Sequence, residues 1–449
     1  MSSKAKAGVL PSQQPKADGD SDNSASTVNA DLGLLPASWR VAPMGDFLTE
    51  AQYGMSVKGG EAGRCPILRM TNQVNGRISP TKLQYADITE RELVNFRVLR
   101  GDILFNRTNS FELVGRTSIF DLPGDFVFAS YLIRLRTLAD QLDPFFLNLY
   151  LNANETQIRL KGIATRAVSQ SNISAARLKG FTVPVPPLPE QRKIAGVLGL
   201  VQRAMEQQER LIEKTAELKK TLLHQLFTQG TRGEPQKQTS IGPVPKSWAM
   251  VKLGEVCTFM SGGTPSKQKS EYWAGTIPWV SPKDMKRPRL CEVADHISPD
   301  ALEDGSKLAP AGSVFVVVRG MILAKDVPVA LAEVPMAFNQ DMKAIMPGDK
   351  LSSAFLLYAL CAFKRKLFEK VGRSAHGTMT LMSTEISSFA IPLPDRKMQD
   401  DIATALETVE TKLAQHQRKH ATLTALFRTL LHQLMTAQIQ VDSLVTSEL

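Results

Sequence analysis

A chain of 449 residues is too long for one ordinary hydrophobic core, so we expect two or three domains. Its hydrophobic content of 43% is that of a globular protein, and no apolar run approaches the roughly 18 to 20 residues that a membrane span requires. The net charge of +10 favours a polyanionic partner. Four widely separated cysteines argue against a disulfide framework or zinc site and favour reduced thiols in the cytoplasm.

The first 30 residues are rich in Ser, Lys and Asp and lack periodicity, which predicts a disordered tail and no signal peptide. Residues 31–185 then mix short β-rich runs with helices. The run "GDILF" (Gly101–Phe105) is typical of a strand, and "PFFLNLYLNAN" (Pro144–Asn154) is typical of a buried helix. These patterns predict a first globular domain of mixed class.

Residues 186–232 predict a long helix followed by a linker. Prolines directly before Glu190 suit a helix N-terminus, where the acidic side chain also complements the helix dipole. Residues 233–392 predict a second mixed domain. There "GSVFVVV" (Gly312–Val318) indicates a strand and "AFLLYALCAF" (Ala354–Phe363) indicates a helix.

Residues 393–437 predict a second long helix with Asp395 as its N-cap, and residues 438–449 a C-terminal tail. Apolar residues recur in both long helices at the a and d positions of a heptad, although polar residues interrupt the pattern. We therefore expect the two helices to pair in an intramolecular coiled coil. The predicted seam comprises Ile194, Val197, Val201, Ala204, Leu211, Leu218, Leu222, Ile402, Ala405, Val409, Leu426 and Leu430.

The hexapeptide "TLLHQL" occurs at Thr221–Leu226 and again at Thr429–Leu434, 208 positions later. At the same offset "FTVPVP" from Phe181 aligns with "FAIPLP" from Phe389, and "LPASW" matches "VPKSW" farther upstream. A shared order of landmarks over some 200 residues indicates two copies of one unit. The predicted fold is therefore of mixed α/β (α+β) class: two globular domains in a pseudo-twofold arrangement, separated by two long antiparallel coiled-coil helices.

Sequence motifs for catalysis are lacking. The segment "GGTPSK" (Gly262–Lys267) lacks the spacing of a phosphate-binding loop and is better interpreted as a turn before a strand. His416 and His420 have the spacing of a helical metal-ligand pair. Their counterparts in the other copy, Gln208 and Ile212, cannot bind a metal in the same way, so we interpret the histidines as polar seam residues. The sequence predicts no catalytic residue and no metal site, and hence a binding protein.

Polar and basic side chains cluster in turn-rich stretches of both domains. Arg, Asn and Gln can contact base edges through two hydrogen bonds, whereas Lys mostly contacts phosphate. A solvated surface position stays open for each residue alone, and a buried structural turn stays open for Asn339 and Gln340. The candidate DNA-contacting residues are Arg107, Asn109, Ser110, Arg166 and Gln170 in the first domain, and Arg319, Lys325, Asn339, Gln340 and His376 in the second, with Lys283, Lys286 and Arg287 expected at phosphates.

The chain resembles the specificity subunit of type I restriction–modification systems along essentially its whole length after the tail. The second long helix departs from the family pattern, because it begins "PLPDRKMQDDIA" without the Pro-Leu-Pro-Glu-Gln run of Pro187–Gln191. The stretches that carry the resemblance are "TSIGPVPKSW" (Thr239–Trp248), "SGGTPS" (Ser261–Ser266), "IPWVSPKDM" (Ile277–Met285), "FNQDMKAI" (Phe338–Ile345), "NRTNSFELVGRTSIF" (Asn106–Phe120), "FASYLIRLR" (Phe128–Arg136) and "PPLPEQRKIA" (Pro186–Ala195).

The resemblance implies two target-recognition domains that each read half of a bipartite sequence in double-stranded DNA. It implies that the helices between them set a fixed non-specific spacer. It also implies docking of methyltransferase subunits, expected to number two, and through them of restriction subunits that translocate DNA. S-adenosylmethionine, ATP and Mg²⁺ would belong to those partners and not to this chain.

The two domains share landmarks but little sequence, which predicts an asymmetric target. The paired helices would then act as a ruler, since one extra turn in each lengthens the pair by about 5.4 Å. Two other classes stay open from the sequence alone. One is a self-contained sequence-specific nuclease or methyltransferase with an unrecognised site, and the other is a coiled-coil scaffold that binds only proteins.

Overall fold

The fold divides into two compact units, each with its own mixture of strands and helices. Unit 1 comprises residues 1–206 and 421–449, and unit 2 comprises residues 207–420. The predicted mixed class is therefore confirmed in both units. The computed structural model describes residues 26–29, 32–166, 170–373 and 377–445.

The described part of the chain begins with a hairpin. Residues 1–25, most of the predicted tail, lie outside the described part of the chain. Ser26–Asn29 pairs antiparallel with Gly33–Pro36, so the last part of the segment assigned to the tail is a strand. A matching hairpin, Gln236–Thr239 with Gly242–Pro245, stands at the same place in unit 2. The duplication therefore extends upstream of the tryptophan landmarks.

Unit 1 is built on a six-stranded sheet in which the pair Thr117–Ile119 and Arg77–Ile78 is parallel. The remaining neighbours in that sheet are antiparallel. In spatial order its strands are Leu48–Tyr53, Leu132–Thr137, Ile103–Asn106, Thr117–Ile119, Arg77–Ile78 and Gln73–Val74. The smaller sheets are Val127–Phe128 with Cys65–Leu68 and Gln84–Ala86; Thr108–Asn109 with Ser171–Asn172 and Thr165–Arg166; and Arg40–Pro43 with Thr182–Val185.

The predicted buried helix of unit 1 spans Pro144–Asn152. Asp143 caps it, because its carboxylate accepts hydrogen bonds from the backbone N–H groups of Phe145 and Phe146. Six of its residues are buried against the sheet, which explains its almost uniformly apolar sequence. The other short helices and 3-10 turns of unit 1 are Met44–Phe47, Met70–Asn72, Glu90–Phe96, Asn154–Gly162, Ala175–Lys179 and Asp442–Val445.

Unit 2 repeats this plan with a five-stranded sheet, again with one parallel pair, Arg289–Leu290 beside Val329–Ala332. In spatial order its strands are Cys257–Ser261, Met342–Pro347, Val314–Val317, Val329–Ala332 and Arg289–Leu290. The smaller sheets are His296–Ile297 with Ile277–Val280, Met336–Phe338 and Leu308–Ala309; Gly372–Arg373 with Met379–Thr380; and Ala249–Lys252 with Ala390–Leu393. The short helices and 3-10 turns are Leu253–Val256, Ser270–Trp273, Pro282–Asp284, Asp300–Glu303, Met321–Ala324, Ser353–Ala362, Lys364–Phe368 and Ser383–Ser387.

The two predicted long helices span Leu188–Gln229 and Arg396–Met435. Asp395 caps the second as predicted, because its carboxylate accepts a hydrogen bond from the backbone N–H of Met398. None of the described helices has the length and apolarity of a membrane span.

The long helices run antiparallel inside each unit. In unit 1 the start of the first helix, at Ile194 and Leu198, shares one core with the end of the second. In unit 2 the end of the first helix, at Phe227, shares a core with the start of the second at Ile402 and Leu406. The predicted antiparallel pairing is therefore confirmed within each unit.

The predicted seam is wrong at two positions. Leu218 is 54% exposed and Leu426 is 44% exposed, so both face outward. A straight helix drifts by roughly 20° per heptad against a strict 3.5-residue repeat, and a seam extrapolated over several heptads therefore rotates off the contact. The polar seam residues are confirmed, because His416 Nδ1 lies 2.9 Å from the Gln208 side-chain oxygen and His420 Nε2 lies 3.1 Å from a Glu209 oxygen.

Buried glutamines show the duplication at the level of single hydrogen bonds. The side-chain oxygen of Gln191 accepts from the backbone N–H of Asp143, and its nitrogen donates to the carbonyls of Gln141 and Pro186. In unit 2 Gln399 makes the corresponding three bonds, to Ser352, Lys350 and Pro394. The second helix thus keeps the junction contact despite its departure from the family pattern.

The segment predicted as a turn before a strand follows one instead. It begins directly after the strand Cys257–Ser261 and leads toward the 3-10 turn Ser270–Trp273. Its glycines permit close backbone approach, since a Cβ on Gly263 would lie 1.9 Å from the Gly305 carbonyl oxygen. The same reason explains Gly54 in unit 1, where a Cβ would lie 2.3 Å from a backbone oxygen.

Candidate nucleic-acid interface

The candidate residues of unit 1 lie on its small three-stranded sheet or directly next to one of its strands. The buried strand Ile103–Asn106 continues outward as Thr108–Asn109, which pairs with Ser171–Asn172. Thr165–Arg166 pairs with the other edge of Ser171–Asn172. Asn109 and Arg166 therefore lie on strands that flank the same central strand. Gln170 directly precedes that strand and is exposed.

Arg107 and Asn109 are already engaged within unit 1. The Arg107 guanidinium lies 4.6 Å from the centroid of the Tyr53 ring and donates a 3.3 Å hydrogen bond to the Ser130 carbonyl. The Asn109 side-chain oxygen accepts a 2.8 Å bond from the Ser110 backbone N–H. These contacts fix the outgoing strand, and leave the half-buried Arg107 with less freedom to reach a ligand than an exposed arginine has.

Arg166 is the exposed arginine of this sheet. Its guanidinium lies 3.9 Å from the centroid of the Phe111 ring, a cation–π contact that orients the side chain. Ser110 lies beside Phe111. Hydrogen bonds from the Glu112 backbone N–H and the Ser110 hydroxyl lower the pKa of Glu112, which is fully exposed.

The corresponding sheet of unit 2 contains an arginine that the sequence analysis missed. Arg373 pairs with Met379 as Arg166 pairs with Ser171, so both arginines hold the same register position in a short hairpin. Arg373 is exposed. The signal in the sequence that could have identified Arg373 is its spacing of 207 residues from Arg166, close to the repeat offset. It is hard to use because a two-residue strand carries no periodicity.

Arg319 lies next to this hairpin through a bridge to Thr380, and its side chain is exposed. Lys325 follows the 3-10 turn Met321–Ala324 and is also exposed. Arg319, Lys325 and Arg373 thus belong to one small region of unit 2. The predicted contact His376 falls in the hairpin loop, outside the described residues.

Asn339 and Gln340 differ in what they are free to contact. The Asn339 side-chain oxygen accepts a 2.6 Å bond from the Asp341 backbone N–H, and its nitrogen donates to the Thr264 hydroxyl at 3.2 Å. These bonds are those of a structural turn, the alternative left open by the sequence. Gln340 is exposed and accepts a hydrogen bond from the same hydroxyl.

The three residues expected at phosphates follow the strand Ile277–Val280. Lys283 forms a 2.6 Å ion pair with Asp295, and this hydrogen bond raises the pKa of Lys283. It lines a cleft together with Asn339. Lys286 and Arg287 are exposed, and neither forms an ion pair within the described part of the chain.

The described ranges contain no group of three or more His, Cys, Asp and Glu side chains that is arranged to hold a metal ion. All four cysteines are unpaired thiols. Burial raises the pKa of Cys257 to about 12 and that of Cys361 to about 11, so neither is a reactive thiolate near neutral pH.

Comparison with known proteins decides the family. The type I restriction modification DNA specificity domain matches residues 52–214 and again residues 245–425, once in each copy of the duplicated unit. The chain belongs to this family. Its members supply specificity to a restriction system, and the catalytic steps belong to other subunits, so the chain itself is not an enzyme.

Individual relatives agree with this assignment. The type I restriction enzyme MjaX specificity subunit of Methanocaldococcus jannaschii is 26% identical over 421 residues, covering 92% of this chain and 96% of that protein. The EcoR124I/EcoR124II specificity subunit of Escherichia coli is 37% identical over 161 residues, 35% of this chain and 40% of that protein. The crystal structure of the S subunit from M. genitalium shares the fold, with a TM-score of 0.61 and 16% identity over 91% of this chain and 97% of that one.

Proposed function

We propose that this chain reads an asymmetric bipartite site in double-stranded DNA, one half-site by each unit. The observation that carries the proposal is the pair of exposed arginines, Arg166 and Arg373, at the same register position of a short hairpin in each unit. Arginine is the side chain best suited to bidentate recognition of guanine. Duplication therefore supplies two equivalent places for base contact.

The surroundings of the two arginines differ, which supports an asymmetric target. Arg166 lies over an aromatic ring and pairs with Ser171, which directly follows the exposed Gln170. Arg373 is accompanied instead by Arg319 and by the exposed turn at Met321. Unlike neighbours present different donors and apolar groups to the bases, so the two half-sites should differ in sequence.

The long helices suit a fixed spacer between the half-sites. Each belongs in part to unit 1 and in part to unit 2, and within each unit the two run antiparallel. A hydrogen-bonded helix of about 40 residues resists changes of length, which a flexible linker would not. We propose that their length sets the number of unspecified base pairs.

Exposed leucines on these helices support partner docking. Leu218 and Leu426 are 208 positions apart, occupy equivalent sites in the two copies, and are both exposed. An apolar residue repeated at an exposed position fits two copies of one partner. We propose two methyltransferase subunits there, with restriction subunits joining through them. S-adenosylmethionine, ATP and Mg²⁺ would be bound by those partners, and the cytoplasm, where DNA and these subunits meet, would be the site of action.

The test is a methylation assay with separated components. Modification subunits of the same system, S-adenosylmethionine and genomic DNA are incubated with and without this chain, and the chain is also incubated alone with S-adenosylmethionine and Mg²⁺. We expect methyl transfer at a defined sequence only when chain and modification subunits are both present. Methylation or cleavage by the chain alone would favour the self-contained enzyme. Absence of DNA binding in any combination would favour the protein scaffold.

A further inference from the structure

We propose that unit 2 inserts the side chains of Met321 and Ile322 between base pairs of the bound duplex. This inference rests on the proposed DNA-reading function and deepens it. Met321 is 66% exposed and Ile322 is 41% exposed. Two adjacent large apolar side chains lose favourable burial when they face water, so a surface that holds them outward calls for a partner that covers them.

The turn that carries them is held firmly. Leu323, within the same 3-10 turn, is fully buried and anchors it to the core of unit 2. Gly320 precedes the turn with a φ of +124°, a conformation that favours glycine, and its N–H donates a 3.0 Å bond to the Met379 carbonyl. The two apolar side chains therefore project from a well-held turn beside the hairpin of Gly372–Arg373 and Met379–Thr380.

Three exposed cations lie on the segments next to the apolar pair: Arg319 before the turn, Lys325 after it, and Arg373 on the hairpin strand opposite Met379. In the described part of the chain none of the three forms an ion pair with a carboxylate. The nearby Asp326 is paired with Lys364 at 2.9 Å. Apolar side chains with cations on the neighbouring segments complement a DNA duplex, because its phosphates attract the cations and its stacked bases accept inserted apolar side chains.

The described residues of unit 1 do not form this arrangement. Its equivalent loop contains Phe111, but the ring is covered by the Arg166 guanidinium at 3.9 Å and approached by the Lys161 ammonium at 5.9 Å. Phe111 is correspondingly only half-exposed. The wedge formed by Met321 and Ile322 should therefore insert into the DNA in one half-site alone. Wedges of Met and Ile unstack one base step and kink the duplex, most readily at pyrimidine–purine steps.

The test uses the full chain with its modification subunits, bound to a duplex that carries the target sequence found in the methylation assay. The fluorescent adenine analogue 2-aminopurine replaces each adenine of both half-sites in turn, because its emission rises when it is unstacked. Methyltransferase subunits turn the adenine that they methylate out of the duplex, so the methylated positions are left out. At the remaining positions we expect a rise at one step, in one half-site only. The double variant Met321→Ala, Ile322→Ala should lose that rise, whereas Met321→Leu should keep it. The dependence of affinity on salt should be unchanged in all variants, since every cation remains.

The outcomes separate the wedge from the function on which it rests. If the double variant unstacks the same step as the wild type, the wedge is wrong although DNA reading stands. If the double variant no longer co-purifies with the modification subunits, the surface formed by Met321 and Ile322 is a protein docking surface and the proposal is overturned. If the wild-type complex binds no duplex, the proposed function fails first.

Discussion

Gln191 and Gln399 show how closely the two copies agree at the scale of single residues. Both are almost completely buried, at 0% and 1% exposure, and a buried side-chain amide is stable only when it is hydrogen-bonded. Each satisfies this need with three backbone groups of its own unit. Each therefore links the start of a long helix to the N-cap residue of the short buried helix in the same unit.

Replacing Gln191 by Ala should leave the Asp143 N–H without its acceptor, at a cost of about 1–3 kcal/mol. Hydrogen exchange followed by mass spectrometry should show faster exchange around Asp143 and unchanged exchange around Ser352. Gln399→Ala is the matched control and should give the reverse pattern. Equal changes in both units from either variant would contradict the independent roles of the two glutamines.

The two exposed hairpin arginines make a second prediction. Arg166→Ala and Arg373→Ala should each relax base preference in one half of the target, by about 1–3 kcal/mol of discrimination, and leave the other half unaltered. Lysine should not restore the preference, because its ammonium cannot form the two parallel bonds of a guanidinium. Mapping of methylated adenines with each variant measures the outcome. If both variants relaxed the base preference in the same half of the target, the proposal that each unit reads its own half-site would be refuted.

A third prediction compares exposed cations that form no ion pair within the described part of the chain with one that does. Lys286→Gln and Arg287→Gln should weaken binding to all sequences alike and reduce the salt slope by roughly one each, if each side chain contacts a phosphate. Lys283→Gln should have a smaller effect, because Asp295 already partners its ammonium at 2.6 Å. Binding to random duplex at several salt concentrations provides the measurement. A change in base preference at constant salt slope would contradict the assignment to phosphates.

At the scale of elements, long regular segments were predictable and short ones were not. Helix length and the Asp395 cap follow from composition and capping chemistry, which are local properties. Which leucines face inward depends on the drift of a straight helix along its partner, so Leu218 and Leu426 were misassigned. The strand Gly372–Arg373 has too few residues to show alternation, and its position became clear only from pairing.

The ruler proposal belongs to this scale. Seven residues inserted after Glu213 and seven after Thr411 should lengthen both helices by about 10.5 Å while keeping the heptad pattern. We expect the unspecified spacer in the methylated motif to grow by about three base pairs of 3.4 Å each. The same insertion in the first helix alone should disrupt pairing and abolish methylation. An unchanged spacer in the double insertion would disprove the ruler.

At the scale of the whole molecule, duplication produced two copies of one scaffold. Divergence of the sequence then gave the two copies different surface residues. Both units keep a sheet with one parallel pair, the buried glutamine and the hairpin arginine. The sequence could predict this scaffold because cores and junctions retained their landmarks. It could not predict which surface residues are available, since that depends on contacts such as those of the Asn339 side chain with Thr264 and Asp341.

The most direct test of two unlike surfaces on one duplicated scaffold is the sequence motif methylated by the assembled complex. Methylated adenines are mapped across a genome in cells that contain the modification subunits, with and without this chain. We expect one motif that depends on the chain, made of two different specified parts separated by a constant number of unspecified bases. A continuous motif, or two identical half-sites, would contradict the account.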